Sequence, residues 1–309
     1  MPAVSAPAKV LVTGCSGFLG SHVPAAFDKA VLGVDAVVHV ASPMIMAGPE
    51  DPPEKLITPA VEGTLSLLRS IEAYGSGVKR IVVTSSMASV MEPHEGPYEY
   101  TEDDWNNAVI KLVEKLGKAA TPMDKYRASK THAERALWNY MEVNKSKLRF
   151  EAVTVNPPFI YGPVIHEVPS KAQLPGSAQY LLYQLTRADV SNPEIAASFL
   201  ANHIDVRDVA EVHVDAIERE EVAGHRLLIG CGPLALQDLL DAANALLADG
   251  SVTELSLKIA VGVPGAANPV RKDFATITPR SQELLGRKFI QLPEMLRDTL
   301  LSFKNKNLV

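Results

Sequence analysis

The run Tyr126-Arg127-Ala128-Ser129-Lys130 sets a phenol and an ammonium four positions apart. On a helix that spacing puts both groups on one face. A tyrosine ordinarily ionises at about pH 10, too high for ready proton exchange near neutrality. A cation held beside it favours the phenolate, which makes the tyrosine a usable general acid or base. The same spacing also arises by chance on a solvated helix, so the pair takes its meaning from its surroundings. Thr84-Ser85-Ser86 follows the apolar run of Val78 to Thr84, VKRIVVT. A hydroxyl just past a strand end can hold a substrate carbonyl oxygen and stabilise the charge developing there. It can equally satisfy backbone groups where the strand stops. Ser86 is the expected hydroxyl and Ser85 the alternate. The third group is Lys9 to Gly20, KVLVTGCSGFLG, in which Gly14, Gly17 and Gly20 interrupt an apolar run ahead of a helical pattern. Such glycines let the backbone turn sharply beside a pyrophosphate whose charge rests on a helix N-terminus. A glycine turn without a ligand reads the same way in isolation.

These groups need a scaffold. Phe18 to Leu32 reads as a helix with Leu19, Val23, Ala26, Ala30 and Val31 on one side, and Pro24 near its first turn. Asp35 to Ala41, DAVVHVA, suits a strand buried on both faces. Leu56 to Tyr74 is a long amphipathic helix, Val78 to Thr84 a strand, Met123 to Asn144 a helix and Leu148 to Val155 a strand. Ser85 to Pro122 reads mostly as loop with some helix, with an acidic stretch from Glu92 to Asp104 that reads as solvated. Strands alternating with helices predict a parallel sheet with right-handed crossovers. Beyond Pro163 the alternation weakens. Val164 to Ala201 reads as loop plus a helix at Gln179 to Arg187, Val206 to Glu221 as a helix, and Arg226 to Ile229 as a short strand. Leu236 to Leu247 and Ser281 to Phe303 are further helical stretches. The fold class is therefore α/β, a Rossmann-like parallel sheet with a smaller C-terminal substrate-binding region. The division falls into residues 1–160 for dinucleotide binding, with 202–230 returning to it, and 161–309 mainly for substrate.

Composition narrows the partners. Of 309 residues, 47% are apolar and 21% charged, ordinary for a globular protein with a sizeable core. A net charge of −6 argues against nucleic acid or an anionic membrane surface as a main partner. Two cysteines, Cys15 and Cys231, make no disulfide framework and show no metal-ligand spacing, so no metal site is expected. No signal peptide pattern or membrane-length apolar run is visible, and a cytoplasmic location is the expectation. His39, inside an apolar strand, reads as a packed core histidine, and Trp105 and Tyr161 read equally as substrate contacts or packing.

Taken together, GCSGFLG, VVTSSMAS, YRASK and VNPPFIYGP resemble the extended short-chain dehydrogenases/reductases. HVASP, PAVEGTLSLL, HIDVRDVAEVHVDAIE and TPRSQELLG extend the likeness over nearly the whole chain. Within the family the chain is most similar to the dihydroflavonol-reductase-like branch, which includes fungal NADPH-dependent aldehyde and ketone reductases. The resemblance implies Ser86, Tyr126 and Lys130 as the catalytic set. Tyr126 would protonate the carbonyl oxygen as hydride arrives from the nicotinamide, and Lys130 would also bond the nicotinamide ribose. It implies a cofactor groove formed by Gly14, Ser16, Gly17, Phe18, Leu19, Gly20, Ala41, Ser42, Thr84, Tyr126 and Lys130. Pro157 and Phe159, in Asn156-Pro157-Pro158-Phe159, would wrap the nicotinamide. The implied activity is NAD(P)H-dependent reduction of a small-molecule aldehyde or ketone by a monomer or homodimer, with NADP(H) favoured and NAD(H) not excluded. Alternatives are a catalytically silent member and a nucleotide-sugar epimerase or dehydratase.

The chain departs from the family pattern after Gly20. A second strand ending in a residue that reads the adenosine ribose belongs about 20 residues on, where this chain has already reached Val40 and HVASP. Pro24 to Asp35 resembles the helix that precedes the family's fourth strand. Strands two and three, with the helix between them, are expected to be missing. The first strand would then lie beside the family's fourth as an exposed edge, and the adenine pocket would be largely lost.

Overall fold

The computed structural model describes residues 3–14, 27–41, 48, 50–267 and 276–309. The chain divides into two compact units, Met1–Pro93 with Tyr100–Asn156 and Glu211–Leu228, and His94–Glu99 with Pro157–Ala210 and Ile229–Val309.

In chain order the elements are β1 (Val10–Thr13), β2 (Ala36–His39), α1 (Glu54–Tyr74), β3 (Arg80–Thr84), β4 (Glu99–Tyr100), α2 (Asn107–Leu116), α3 (Pro122–Val143) and β5 (Glu151–Asn156). There follow β6 (Phe159–Tyr161), α4 (Gly176–Thr186), α5 (Pro193–Ala197), β7 (Phe199–Asp205), α6 (Val206–Glu218), β8 (Arg226–Leu228) and β9 (Pro233–Ala235). The chain closes with α7 (Leu236–Ala248), β10 (Thr276–Ile277), α8 (Arg280–Leu285) and α9 (Leu292–Asn305).

The first unit is built on a five-stranded parallel sheet in the order β1-β2-β3-β5-β8. Val37 and Val38 of β2, and Ile81 and Val82 of β3, are buried, as expected of strands covered on both faces. Helices α1 and α3 meet the sheet through Leu67, Leu68, Ile71 and Leu137, which pack with Val37, Ile81, Val83 and Ala152. Truncating any one of these large side chains to alanine would cost about 2–5 kcal/mol through lost burial plus the cavity left behind. β1 is paired in parallel directly with β2, Val10 with Ala36 through Thr13 with His39. Val10 and Val12 are 39% and 46% exposed, unlike the valines of β2.

The helix expected over Phe18 to Leu32 lies in part outside the described residues. Residues 27–33, which are described, form turns instead. One helix-type bond joins Val31 N–H to the Phe27 carbonyl at 3.0 Å, and Gly33 then takes φ +67°, which ends any helical path. Phe27 and Val31 still enter the core, so their apolar spacing reports burial without a regular helix.

The second unit carries a sheet absent from the sequence reading. β6 pairs in parallel with β7, and β7 pairs antiparallel with β9. Tyr161, Leu181, Leu185, Leu239, Leu240, Leu296 and Leu300 pack in one core. The helical stretch expected from Ser281 to Phe303 is two helices, because Gly286 at φ +61° caps α8 in the left-handed region.

Candidate active site

The site is assembled at the carboxyl ends of the parallel strands, where open α/β sheets bind ligands. At the end of β1, Gly14 takes φ +87°, and a Cβ there would meet Ala41 N at 2.5 Å. Only glycine lets the two strand ends approach so closely, the backbone arrangement a pyrophosphate turn requires. His39 ends β2, with Nδ1 2.6 Å from Thr13 Oγ1 and its ring edge-on to Phe27. Burial, and then the charge of Lys130, lower its pKa to about 4. It is a core histidine, held neutral.

At the end of β3, Thr84 Oγ1 lies 2.7 Å from His213 Nε2. Ser86 caps a single turn of 3-10 helix, Met87–Ser89, its Oγ accepting the Ala88 N–H at 3.1 Å. Ser85 is committed elsewhere: its Oγ donates to Glu134 Oε2 at 2.5 Å.

Helix α3 is opened by Thr121, whose Oγ1 accepts the Asp124 N–H at 3.1 Å, with Pro122 in the first turn. That start sets the register of all that follows. Tyr126 is half-buried, and Lys130, one turn later, is buried. Lys130 lines a pocket with Ala41, Thr84, Ser85, His39 and Glu134. No hydrogen bond or ion pair within the chain holds its ammonium among the described residues. A buried cation with spare donors beside a glycine-built strand end fits the hydroxyl- and phosphate-rich body of a dinucleotide.

The structure thus brings Gly14, Ala41, Thr84, Ser86, Tyr126 and Lys130 into one unit. Ser16, Gly17, Phe18, Leu19, Gly20 and Ser42 lie outside the described residues. Pro157 and Phe159 belong to the second unit, where the Phe159 ring packs 5.3 Å from that of Tyr180 and 6.3 Å from that of Tyr161. Tyr161 itself is buried in the core of that unit, and burial pushes its phenol pKa upward. Trp105 is a packing residue, its ring centroid 3.8 Å from the Arg226 guanidinium carbon.

Sequence reading missed the residues behind the site. Glu134 is fully buried and pairs with Arg226, Nε to Oε1 at 2.6 Å. Burial alone would raise its carboxyl pKa, but the Arg226 charge and hydrogen bonds from Arg226, Ser85 and Ser89 outweigh it and hold the group below its ordinary value. The spacing Tyr126, Lys130, Glu134 was the available signal, since each step of four keeps to one helix face.

The model of the NAD-dependent epimerase/dehydratase family matches residues 24–230, about two thirds of the chain. The chain belongs to this family. Within the family, the chain is 32% identical over 290 residues to the NADPH-dependent methylglyoxal reductase GRE2 of Saccharomyces cerevisiae, covering 91% of this chain and 80% of that protein. Ketoreductase azaE of Aspergillus niger is 35% identical over 224 residues, 71% of this chain and 63% of that one. Among solved structures, yeast methylglyoxal/isovaleraldehyde reductase Gre2 complexed with NADPH aligns with a TM-score of 0.77 at 31% identity, over 93% of this chain and 83% of its own. The extended short-chain dehydrogenase/reductase resemblance and the Rossmann-like parallel sheet are both borne out.

Proposed function

We propose that this family member is an NADPH-dependent oxidoreductase that reduces the carbonyl of a small aldehyde or ketone, with methylglyoxal as a representative substrate. The observation that carries the reading is the Lys130 ammonium, held by no hydrogen bond or ion pair among the described residues, in the pocket with Ala41 and Thr84 and one turn after Tyr126 on α3. NADPH would supply the hydride. Tyr126 donates its phenolic proton to the carbonyl oxygen as negative charge develops there, and Lys130 favours the phenolate that remains. Ser86 Oγ accepts the Ala88 N–H and donates to no group among the described residues, which leaves its proton for the same oxygen. Gly14, Ala41, Thr84, Tyr126 and Lys130 of the first unit hold the cofactor, together with the glycine-loop residues Ser16, Gly17, Phe18, Leu19 and Gly20 and with Ser42. The first unit is the dinucleotide-binding part and the second mainly the substrate-binding part. The reductases among the relatives favour this chemistry over nucleotide-sugar epimerisation. A cytoplasmic location accompanies the reading. Among the described residues, no helix is long and apolar enough to cross a membrane.

We also read β1 beside β2 as the mark of a missing βαβ unit. Supporting this are their direct parallel pairing and a match that covers 91% of this chain but only 80% of the yeast reductase. The same gap favours a second reading, a member that folds but no longer turns over.

Fluorescence titration with NADPH and NADH, alongside methylglyoxal turnover, separates the two. The reductase reading expects saturable NADPH binding and measurable turnover; binding only at millimolar cofactor would leave the silent reading. Tyr126→Phe should lower kcat by about 10²–10⁴-fold, the range for losing a general acid, with NADPH affinity largely unchanged. Equal loss of both would remove Tyr126 from its assigned role.

A further inference from the structure

Glu134 lies four residues past Lys130 and eight past Tyr126 on the same helix, yet none of the chemistry above uses it. Its Oε2 is approached by three donors: Ser85 Oγ at 2.5 Å, Ser89 Oγ at 2.5 Å and Asn156 Nδ2 at 2.8 Å. Ser85 and Ser89 bracket Ser86, so one carboxylate oxygen holds the catalytic serine's turn from both ends. Asn156 also reaches back to the Ser86 carbonyl at 3.3 Å. Ser89 Oγ is 2.7 Å from that same carbonyl, but a hydroxyl has a single proton to give. A charged acceptor makes the stronger bond, which draws the Ser89 proton to Glu134.

The other oxygen of Glu134 accepts from Arg226, whose Nη1 donates to the carbonyls of Glu102 and Asp104, both at 2.7 Å. With Trp105 against its guanidinium face, Arg226 is fixed on three sides. The carboxylate is therefore held in place and kept charged by an anchor outside α3.

We propose that Glu134, held by Arg226, is a positioning residue that sets the Ser86 turn in register with Tyr126 and Lys130. This role rests on the assignment of Ser86, Tyr126 and Lys130 as the reducing set. The network reaches α3, the turn after β3, the end of β5 and the start of β8. Two further restraints come from Asn106, whose Nδ2 donates to the Ala88 carbonyl at 3.1 Å and whose N–H donates to the Ser89 carbonyl at 2.9 Å. The turn thus stays attached when Glu134 is altered, and the expected damage is a misplaced Ser86 in a folded protein.

The test is a double-mutant cycle between Glu134→Gln and Ser86→Ala, read as kcat and KM for methylglyoxal and as NADPH affinity by fluorescence. In the wild-type background, Glu134→Gln should lower kcat by about 10- to 100-fold, with KM and NADPH affinity within about threefold, since only transition-state contacts are lost. In the Ser86→Ala background it should lower kcat no further, because residues acting as one unit are not additive. The Ser85→Ala/Ser89→Ala pair, which removes the two hydroxyl struts while Arg226 and Asn156 still hold the carboxylate, should reproduce the kcat loss and stands in if Glu134→Gln fails to fold. An equal kcat loss in both backgrounds, a parallel fall in NADPH affinity, or unchanged kcat in a folded variant would each overturn the positioning role. If Ser86→Ala and Tyr126→Phe both leave kcat intact, the site assignment itself falls and takes this role with it.

Discussion

A single residue illustrates how the site's surroundings are tuned. The imidazole of His39 is enclosed between Thr13 and Phe27, and burial, then the Lys130 charge, bring its pKa to about 4. An unfolded histidine ionises at about 6.5. Between those values the unfolded chain binds a proton that the folded chain does not, so stability increases with pH across the window. The contribution is full above about pH 6.5 and is lost as pH falls toward 4, an effect of about 3 kcal/mol for a shift of this size. Thermal unfolding at a series of pH values should show a shallower acid decline for His39→Gln than for wild type. His203, which burial also lowers, contributes to both profiles alike. Superimposable slopes would mean that His39 is not the group being titrated.

At the scale of elements, the strand ends decide whether a cofactor can approach. Gly14 and Gly33 both adopt positive φ, +87° and +67°, but of the two only Gly14 is crowded, with Ala41 N 2.5 Å from a Cβ built there, while a Cβ built at Gly33 meets nothing within 4 Å. Gly33→Ala therefore meets only the left-handed backbone penalty, about 1–2 kcal/mol. Gly14→Ala meets that and a backbone clash that cannot relax without parting β1 from β2. Urea unfolding should show the larger loss of stability for Gly14→Ala, and NADPH titration should show weakened binding in that variant alone. Equal behaviour of the two variants would contradict the close-approach argument. Helix α3 works by the same logic, since one capped start fixes the faces of Tyr126, Lys130 and Glu134 together.

For the whole molecule, the outer side of β1 is where the proposed missing βαβ unit is tested. The exposed Val10 and Val12 contrast with the buried valines one strand inward, and the proposed missing βαβ unit would supply their cover and the adenosine pocket. Remote binding energy from the adenosine half is worth several kcal/mol in a dinucleotide site, or about 10²-fold or more in affinity. Inserting such a unit after Val23 should tighten NADPH binding by about that factor in the same titration. No gain in affinity, in a chimera that unfolds cooperatively, would sink the deletion reading.

The parallel sheet, the long helices α1 and α3 and the Tyr126–Lys130 pair were legible in the amino acids. Strands buried on both faces must be continuously apolar, and a helix repeats its face every four residues. The sheet of β6, β7 and β9 was not legible. Asn202 and His203 are buried inside β7, and its partner β9 lies beyond an intervening helix. Polar residues in a short strand break the alternation that would have revealed it. Glu134 was hidden for the opposite reason. A glutamate on a helix is ordinarily solvated, and only the return of β8 brings Arg226 alongside to keep this one charged and buried. Spacing along the chain determined which groups share a face. Which charges could leave water was decided by partners distant in sequence, because burying a charge requires a counter-charge that no local pattern supplies.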